Sequence, residues 1–170
     1  SRLTAMVRGV GFVFYDQMIQ WAAVVLAAGL GVRMNSRLPK VLHPVCGKEM
    51  LRHVVDASRA VMDGPVVVVV SPDAGQIRDS LADTVEYVEQ PEPRGTGRAL
   101  VEAEELLDGR ASHLLVLYGD TPLITPATLA RLVERHEAAS AAVTFVTSDG
   151  VLPDGLGRVA RDAEGRVVEV

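Results

Sequence analysis

Five consecutive valines, Val66-Val67-Val68-Val69-Val70, followed by Ser71-Pro72-Asp73, decide how this chain folds. β-Branched side chains favour extended backbone, and an unbroken apolar run of this length fits a strand buried on both faces. Ser71-Pro72-Asp73 reads as a helix start with Pro72 at the first helical position, where a missing N–H is tolerated. That helix is expected to reach about Ala82, with a further strand from Val85 to Val88. Towards the N-terminus, Leu51, Val54, Val55, Ser58 and Met62 recur at helical spacing. Before them lies a polar, glycine- and proline-punctuated stretch from Gly29 to Gly47, too long for a simple turn. It follows a short apolar strand from Ala22 to Ala28.

The second half continues the alternation. Arg94-Gly95-Thr96-Gly97 reads as a loop, and Ala99, Leu100, Ala103, Leu106 and Leu107 form a helical stripe. Leu114 to Tyr118 is expected as another buried strand, and Ala141 to Thr147 as a fifth. Between these two, Thr125 reads as an N-cap with Pro126 behind it, and Leu129, Leu132, Val133 and His136 share one face. A loop from Ser148 to Gly155 leads to a hairpin, Arg158–Arg161 against Arg166–Val170, turning through Asp162-Ala163-Glu164-Gly165. Such alternation implies an α/β fold, a Rossmann-like, mostly parallel sheet with helices on both faces. Ligands bind these sheets outside the carboxyl ends of the strands, so chemistry is sought in the loops there.

Composition narrows the partners. The chain has 170 residues, 48% of them apolar, enough for a core. It carries 17 basic against 22 acidic residues, a net charge of −5. A non-specific grip on nucleic acid or an anionic membrane needs a basic excess, and 4% aromatics disfavour a base-stacking platform. The longest apolar run, Trp21 to Val32, falls well short of the ~20 residues that span a bilayer. Arg2 and Arg8 ahead of Val10 to Tyr15 bear a weak likeness to a signal peptide, but Asp16 and Gln17 interrupt it, and a cytoplasmic protein is expected. The single cysteine, Cys46, excludes an intramolecular disulfide and is expected as a small buried hydrophobe. The start at Ser1 and the stop at Val170, inside a strand-like run, are expected of a fragment.

Three loops carry residues suited to chemistry. The first reads Leu26-Ala27-Ala28-Gly29-Leu30-Gly31-Val32-Arg33-Met34, with Lys40 shortly after. Glycines let backbone N–H groups approach a phosphate, Arg33 offers a bidentate clamp and Lys40 a mobile point charge. A plain glycine turn with solvated basic residues fits the same letters. The dinucleotide-binding fingerprint fails, because Met34 stands where its third glycine belongs, and no Gly-Lys-Ser/Thr makes a P-loop. In the second loop, Tyr118-Gly119-Asp120-Thr121-Pro122, Asp120 suits either a divalent cation or the cap of the following turn. In the third, from Glu89-Gln90-Pro91 to Gly97, the Gln90 amide suits a base edge or plain solvent. His43, His53, His113 and His136 have no zinc spacing, and no nucleophile–base pairing is evident around Cys46 or any serine.

Taken together the loops resemble a known signature. Leu26 to Met34, then Leu38-Pro39-Lys40-Val41-Leu42-His43-Pro44-Val45-Cys46-Gly47-Lys48, is similar to the sugar-phosphate nucleotidyltransferases. Pro39 to His43 with Met50-Leu51 and His53-Val54 narrows the resemblance to the bacterial N-acetylglucosamine-1-phosphate uridylyltransferase family, the N-terminal half of a bifunctional enzyme. Glu89-Gln90, Gly95-Thr96-Gly97, Tyr118 to Ile124 and Gly157-Arg158-Val159 follow in that family's order.

The resemblance implies the nucleotide-diphospho-sugar transferase fold, Mg²⁺ as cofactor, and UTP and N-acetylglucosamine 1-phosphate as substrates. It implies that Leu26, Ala27, Ala28 and Gly29 hold the nucleotide, Arg33 stabilises the departing pyrophosphate, and Lys40 contacts the phosphates. Gln90, Gly95 and Thr96 would meet the uracil, Tyr118, Gly119 and Asp120 line the site with Asp120 on the metal, and Gly157 would meet the sugar. Leu156 departs from the family's tyrosine, and the chain stops before the residues that supply a further glutamate and a second metal ligand. Residues 1–20 are therefore expected as an N-terminal extension and 21–170 as a partial, C-terminally truncated domain. The resemblance also implies a homo-oligomer, since the full-length family is expected to form trimers through its C-terminal domain. Competing readings are a molybdopterin guanylyltransferase-like enzyme, whose group lacks the Pro39–His43 segment, and a nucleotide-binding fragment without turnover.

Overall fold

The computed structural model describes residues 4–7, 12–15, 20–29, 31, 34–92, 95–148 and 157–169. They fall in two compact units, residues 1–129 and 130–170. In the first unit, β1 (Thr4–Val7) and β2 (Phe12–Tyr15) pair antiparallel. Then come β3 (Trp21–Leu26), the hairpin strands β4 (Pro44–Val45) and β5 (Lys48–Glu49), and helix α1 (Met50–Arg59). Next are β6 (Val66–Val70), α2 (Gly75–Leu81), β7 (Glu86–Glu89), α3 (Thr96–Leu107) and β8 (His113–Tyr118). Helix α4 (Pro126–Ala139) starts on the cap foreseen for it, the Thr128 N–H donating to Thr125 Oγ1 at 3.2 Å. In the second unit β9 (Ala160–Arg161) and β10 (Val167–Glu169) form the expected C-terminal hairpin. Among the described residues no helix is long and apolar enough to cross a membrane.

The central sheet has the order β7-β6-β3-β8 and is parallel throughout. The valine run is one of its two interior strands: Val67 to Val70 are wholly buried and Val66 nearly so. Fully burying one such side chain contributes roughly 1.5–3 kcal/mol, which is why five in succession fix the strand so firmly. Side chains alternate across a strand, so Ala22, Val24, Val67 and Val69 meet Ala99, Ala103 and Leu107 of α3. The opposite parity, Ala23, Val25, Val68 and Val70, is left for the other face, where α1 buries Leu51, Val54 and Val55. Gly64 is required on entry to β6, since a Cβ there would lie 1.7 Å from the Trp21 carbonyl oxygen.

Several expectations need correcting. The turn residues Ser71 to Ala74 close on themselves, Ala74 N–H donating to Ser71 O, so α2 begins at Gly75 and not at Pro72. β7 is displaced by one residue, and Met62 lies beyond the end of α1. β8 is an edge strand buried on one side only: Leu115 and Leu117 are covered, whereas Leu114, Val116 and Tyr118 are exposed. Ala141 to Thr147 forms no strand. Such a segment becomes a strand only by pairing its backbone, and here it is held to α4 through His136 Nδ1 and Thr144 Oγ1, 3.0 Å apart. Cys46 is exposed, because with φ of +52° beside Gly47 at +80° it forms the tip of the β4–β5 hairpin, as a two-residue type I′ turn demands.

Candidate functional site

A cleft of about 720 Å³ opens at the carboxyl ends of β3, β6 and β8. Its floor is the run from Leu26 through Ala27 and Ala28 to Gly29, with Ala27 N–H still donating to Val69 O at 2.8 Å. Gly31 has a φ of +57°, and a Cβ on it would come within 2.7 Å of Lys40 Cβ. Glycine thus lets the loop rest directly on the lysine stem. Lys40 opens a short 3₁₀ turn whose next residues, Val41 and Leu42, are buried, so its backbone is anchored while its ammonium reaches the cleft.

Asp120 reaches the same cleft from 80 residues further along the chain, and its Oδ2 accepts from Lys40 Nζ at 2.5 Å. Its placement depends on Gly119, whose N–H donates to Leu26 O at 2.9 Å. A Cβ on Gly119 would meet Leu51 Cδ1 at 3.1 Å and Leu26 O at 3.2 Å, so β8 approaches β3 and α1 this closely only without a side chain. Thr121 closes the turn by donating from both N–H and Oγ1 to Tyr118 O, at 3.2 and 2.7 Å.

The third wall comes from β7 and α3. Gln90 is 7% exposed, an unusual burial for an amide; its N–H donates to Val70 O at 2.8 Å and its Nε2 to Gly95 O at 3.2 Å. Gly95, with φ of +88°, precedes α3, so Gly95 and Thr96 bring a helix N-terminus to the cleft, the end that favours anions.

Of the residues foreseen from sequence, Leu26, Ala27, Ala28, Gly29, Lys40, Gln90, Gly95, Thr96, Tyr118 and Asp120 line this one cleft. Gly119 supports it from behind. Arg33 lies outside the described residues, as do Leu30, Val32, Arg94 and Leu156. Gly157 belongs to the second unit and is exposed. Sequence reasoning missed Val41, Val69 and Ala99 as lining residues, together with Gly31 and Met34, which it quoted only as part of the loop. Val69 had a signal, its place near the carboxyl end of a wholly buried strand.

Among the described residues no group of three or more His, Cys, Asp or Glu side chains converges as a metal cage. The donor set at the cleft is one carboxylate, Asp120, beside a glycine-lined space. Mg²⁺ uses such a set when substrate phosphates and water complete its shell, so the residues fit that ion as a partial site.

A family profile for the MobA-like NTP transferase domain matches residues 23–162. The chain belongs to that family. A curated relative, the bifunctional protein GlmU of Shouchella clausii, is 46% identical over 148 residues, covering 87% of this chain and 33% of the relative. The chain thus spans about a third of the length of the curated relatives it matches. The crystal structure of Rv0371c from Mycobacterium tuberculosis H37Rv superposes with a TM-score of 0.61 at 29% identity, covering 71% of this chain and 62% of that one. That protein has also been solved in complex with manganese. UDP-glucose pyrophosphorylase from Acinetobacter baumannii shares the fold, with a TM-score of 0.61 at 21% identity over 73% of this chain and 54% of its own. As a MobA-like NTP transferase domain the chain is of nucleotidyltransferase type, and the fold class read from the valine strand outward is the fold of its structural neighbours.

Proposed function

We propose that residues 21–170 are the nucleotide-binding part of a uridylyltransferase that joins UTP to N-acetylglucosamine 1-phosphate, giving UDP-N-acetylglucosamine and pyrophosphate. The observation that carries this reading is the meeting of Lys40 and Asp120 in a cleft walled by the Leu26–Gly29 loop, Gln90 and the start of α3. Backbone N–H groups of the loop and the Lys40 ammonium hold the phosphates. The Gln90 amide and the Gly95-Thr96 turn hold the base, and a buried amide already fixed by Gly95 is pre-organised to do so. Arg33 receives the departing pyrophosphate and Gly157 the sugar, both assigned from the sequence motif.

A phosphate oxygen of the sugar phosphate attacks the α-phosphorus in line. The new P–O bond forms as the bond from the α-phosphorus to the bridging oxygen breaks, and pyrophosphate leaves with that electron pair. No protein nucleophile takes part, so catalysis rests on positioning and charge neutralisation. Asp120 would hold a divalent cation, Mg²⁺ in this reading, which when bound offsets phosphate charge. The manganese complex of Rv0371c supports a divalent ion in a related protein. The cytoplasm, where nucleotides are made, is the compartment this chemistry fits.

The test is pyrophosphate release with UTP, N-acetylglucosamine 1-phosphate and Mg²⁺, run on this chain and on one continued past Val170. Release that needs both substrates in the longer protein is the expected result. Release driven by GTP or CTP but not UTP would replace the uridylyl reading with that of another nucleotidyltransferase.

A further inference from the structure

In the ligand-free protein, the residue assigned to the phosphates and the residue assigned to the cation are bound to each other. Lys40 Nζ lies 2.5 Å from Asp120 Oδ2, with both side chains about one-third exposed. We infer that Lys40 occupies the cation position as an internal counter-charge, so that a divalent ion and the lysine compete for a single carboxylate until phosphates draw the lysine away.

Three observations support this. Among the described residues no group of three or more His, Cys, Asp or Glu side chains gathers at Asp120 to hold the ion. A cation that dehydrates reluctantly and finds one carboxylate already in contact with an ammonium has little to gain by displacing it. The lysine is also mechanically tied to the nucleotide loop: its Cβ lies only 2.7 Å from where Gly31 would carry one, so loop and lysine stem pack without a spacer. Phosphates entering between the loop and Lys40 therefore meet the ammonium directly. In contrast, the backbone under Asp120 is held by the bonds of Gly119 and Thr121 and stays in place when the lysine leaves. The inference rests on the nucleotide-site reading, and makes nucleotide and cation binding cooperative within one site. Coupling of this kind typically amounts to ~5–150-fold in affinity.

The measurement is Mn²⁺ binding to the 170-residue chain without nucleotide, followed by the electron paramagnetic resonance signal of free Mn²⁺. Lys40→Met removes the competitor and is expected to tighten Mn²⁺ binding by about tenfold, within that coupling range. Lys40→Arg keeps the positive charge and is expected to bind as weakly as the wild type. Asp120→Asn is expected to abolish the gain when combined with Lys40→Met. Circular dichroism verifies the fold of each variant, and Lys40→Gln serves if the methionine variant does not fold. Equal or weaker Mn²⁺ binding by the uncharged variants, or a gain that survives Asp120→Asn, overturns the inference.

A second arm measures UTP binding in metal-free buffer, where Asp120→Asn frees Lys40 and should bind UTP more tightly than the wild type. If no UTP binds but Lys40→Met still gains Mn²⁺ affinity, the competition stands and the uridylyl reading falls. If UTP binds while Mn²⁺ affinity ignores Lys40, the reverse holds.

Discussion

Lys40 and Asp120 illustrate how a residue's role depends on what fixes its backbone. Val41 and Leu42 bury the turn that starts at Lys40, and Gly119 lets Asp120 approach β3, so the two side chains meet although 80 positions separate them. Nothing in the letters near Asp120 distinguishes a turn cap from a ligand; only the folded cleft brings Lys40 to it. In a chain continued past Val170, Lys40→Ala, Asp120→Asn and Arg33→Ala are each expected to lower turnover at least about tenfold, as loss of the proposed contacts with transferring phosphate or metal should. Steady-state pyrophosphate release reads this directly. A variant that turns over at the wild-type rate removes its residue from the mechanism. The roles are also separable: taking the Lys40 ammonium away from the phosphates should raise KM for UTP, whereas Asp120→Asn should act on kcat through charge developing in the transition state.

At the scale of elements, stability away from the cleft depends on how α3 is tied to the sheet. Arg110, just past α3, donates from Nη2 to Glu86 Oε1 at 2.7 Å and from Nη1 to Glu86 Oε2 at 2.8 Å, joining the helix end to β7. These bonds hold the Glu86 carboxyl below its usual value of 4.5. A group whose folded pKa is depressed stabilises the fold above its unfolded value and loses that contribution as pH falls through the folded one. The thermal midpoint of Glu86→Gln should therefore lie below that of the wild type at pH 7, with the gap closing below about pH 4.5. Because both side chains are about 40% exposed, the gap should be small, on the order of a few tenths of a kcal/mol to 1 kcal/mol. A gap that persists unchanged at pH 3 would assign the effect to packing. Elements are legible in the sequence where burial is two-sided and unbroken, as in Val66–Val70, and where spacing is regular, as in Ala99, Ala103 and Leu107. They are misread where tertiary partners decide. One-sided cover makes β8 an edge, a local Ser71–Ala74 turn delays α2, and pairing is missing from the apolar run Ala141–Thr147. Cys46 misleads because its residue type suggests burial while its place at a hairpin tip demands exposure.

On the scale of the whole molecule, the proposed site predicts that binding and turnover are separable. Every described residue that lines the cleft belongs to the first unit, and the chain spans about a third of its curated relatives. The proposed nucleotide site is therefore contained in a part of the chain with its own core. Binding to the folded state alone stabilises by about 2.7 kcal/mol when ligand stands at 100 times Kd. For a protein of this size 1 kcal/mol moves the midpoint by roughly 2–4 °C, so saturating UTP with Mg²⁺ should raise it by about 5–11 °C. The same shift should occur in a chain continued past Val170, whereas sustained pyrophosphate release should need the continuation. Differential scanning fluorimetry with UTP, GTP and CTP makes the comparison, and the Gln90 amide predicts that UTP gives the largest shift. Gln90→Ala should reduce that preference more than it lowers the unliganded midpoint, since the role proposed for the amide is at the base. If UTP leaves the midpoint of this chain unmoved yet raises that of the longer protein, nucleotide binding requires residues beyond the first unit, and the division between binding and turnover drawn from the cleft is wrong.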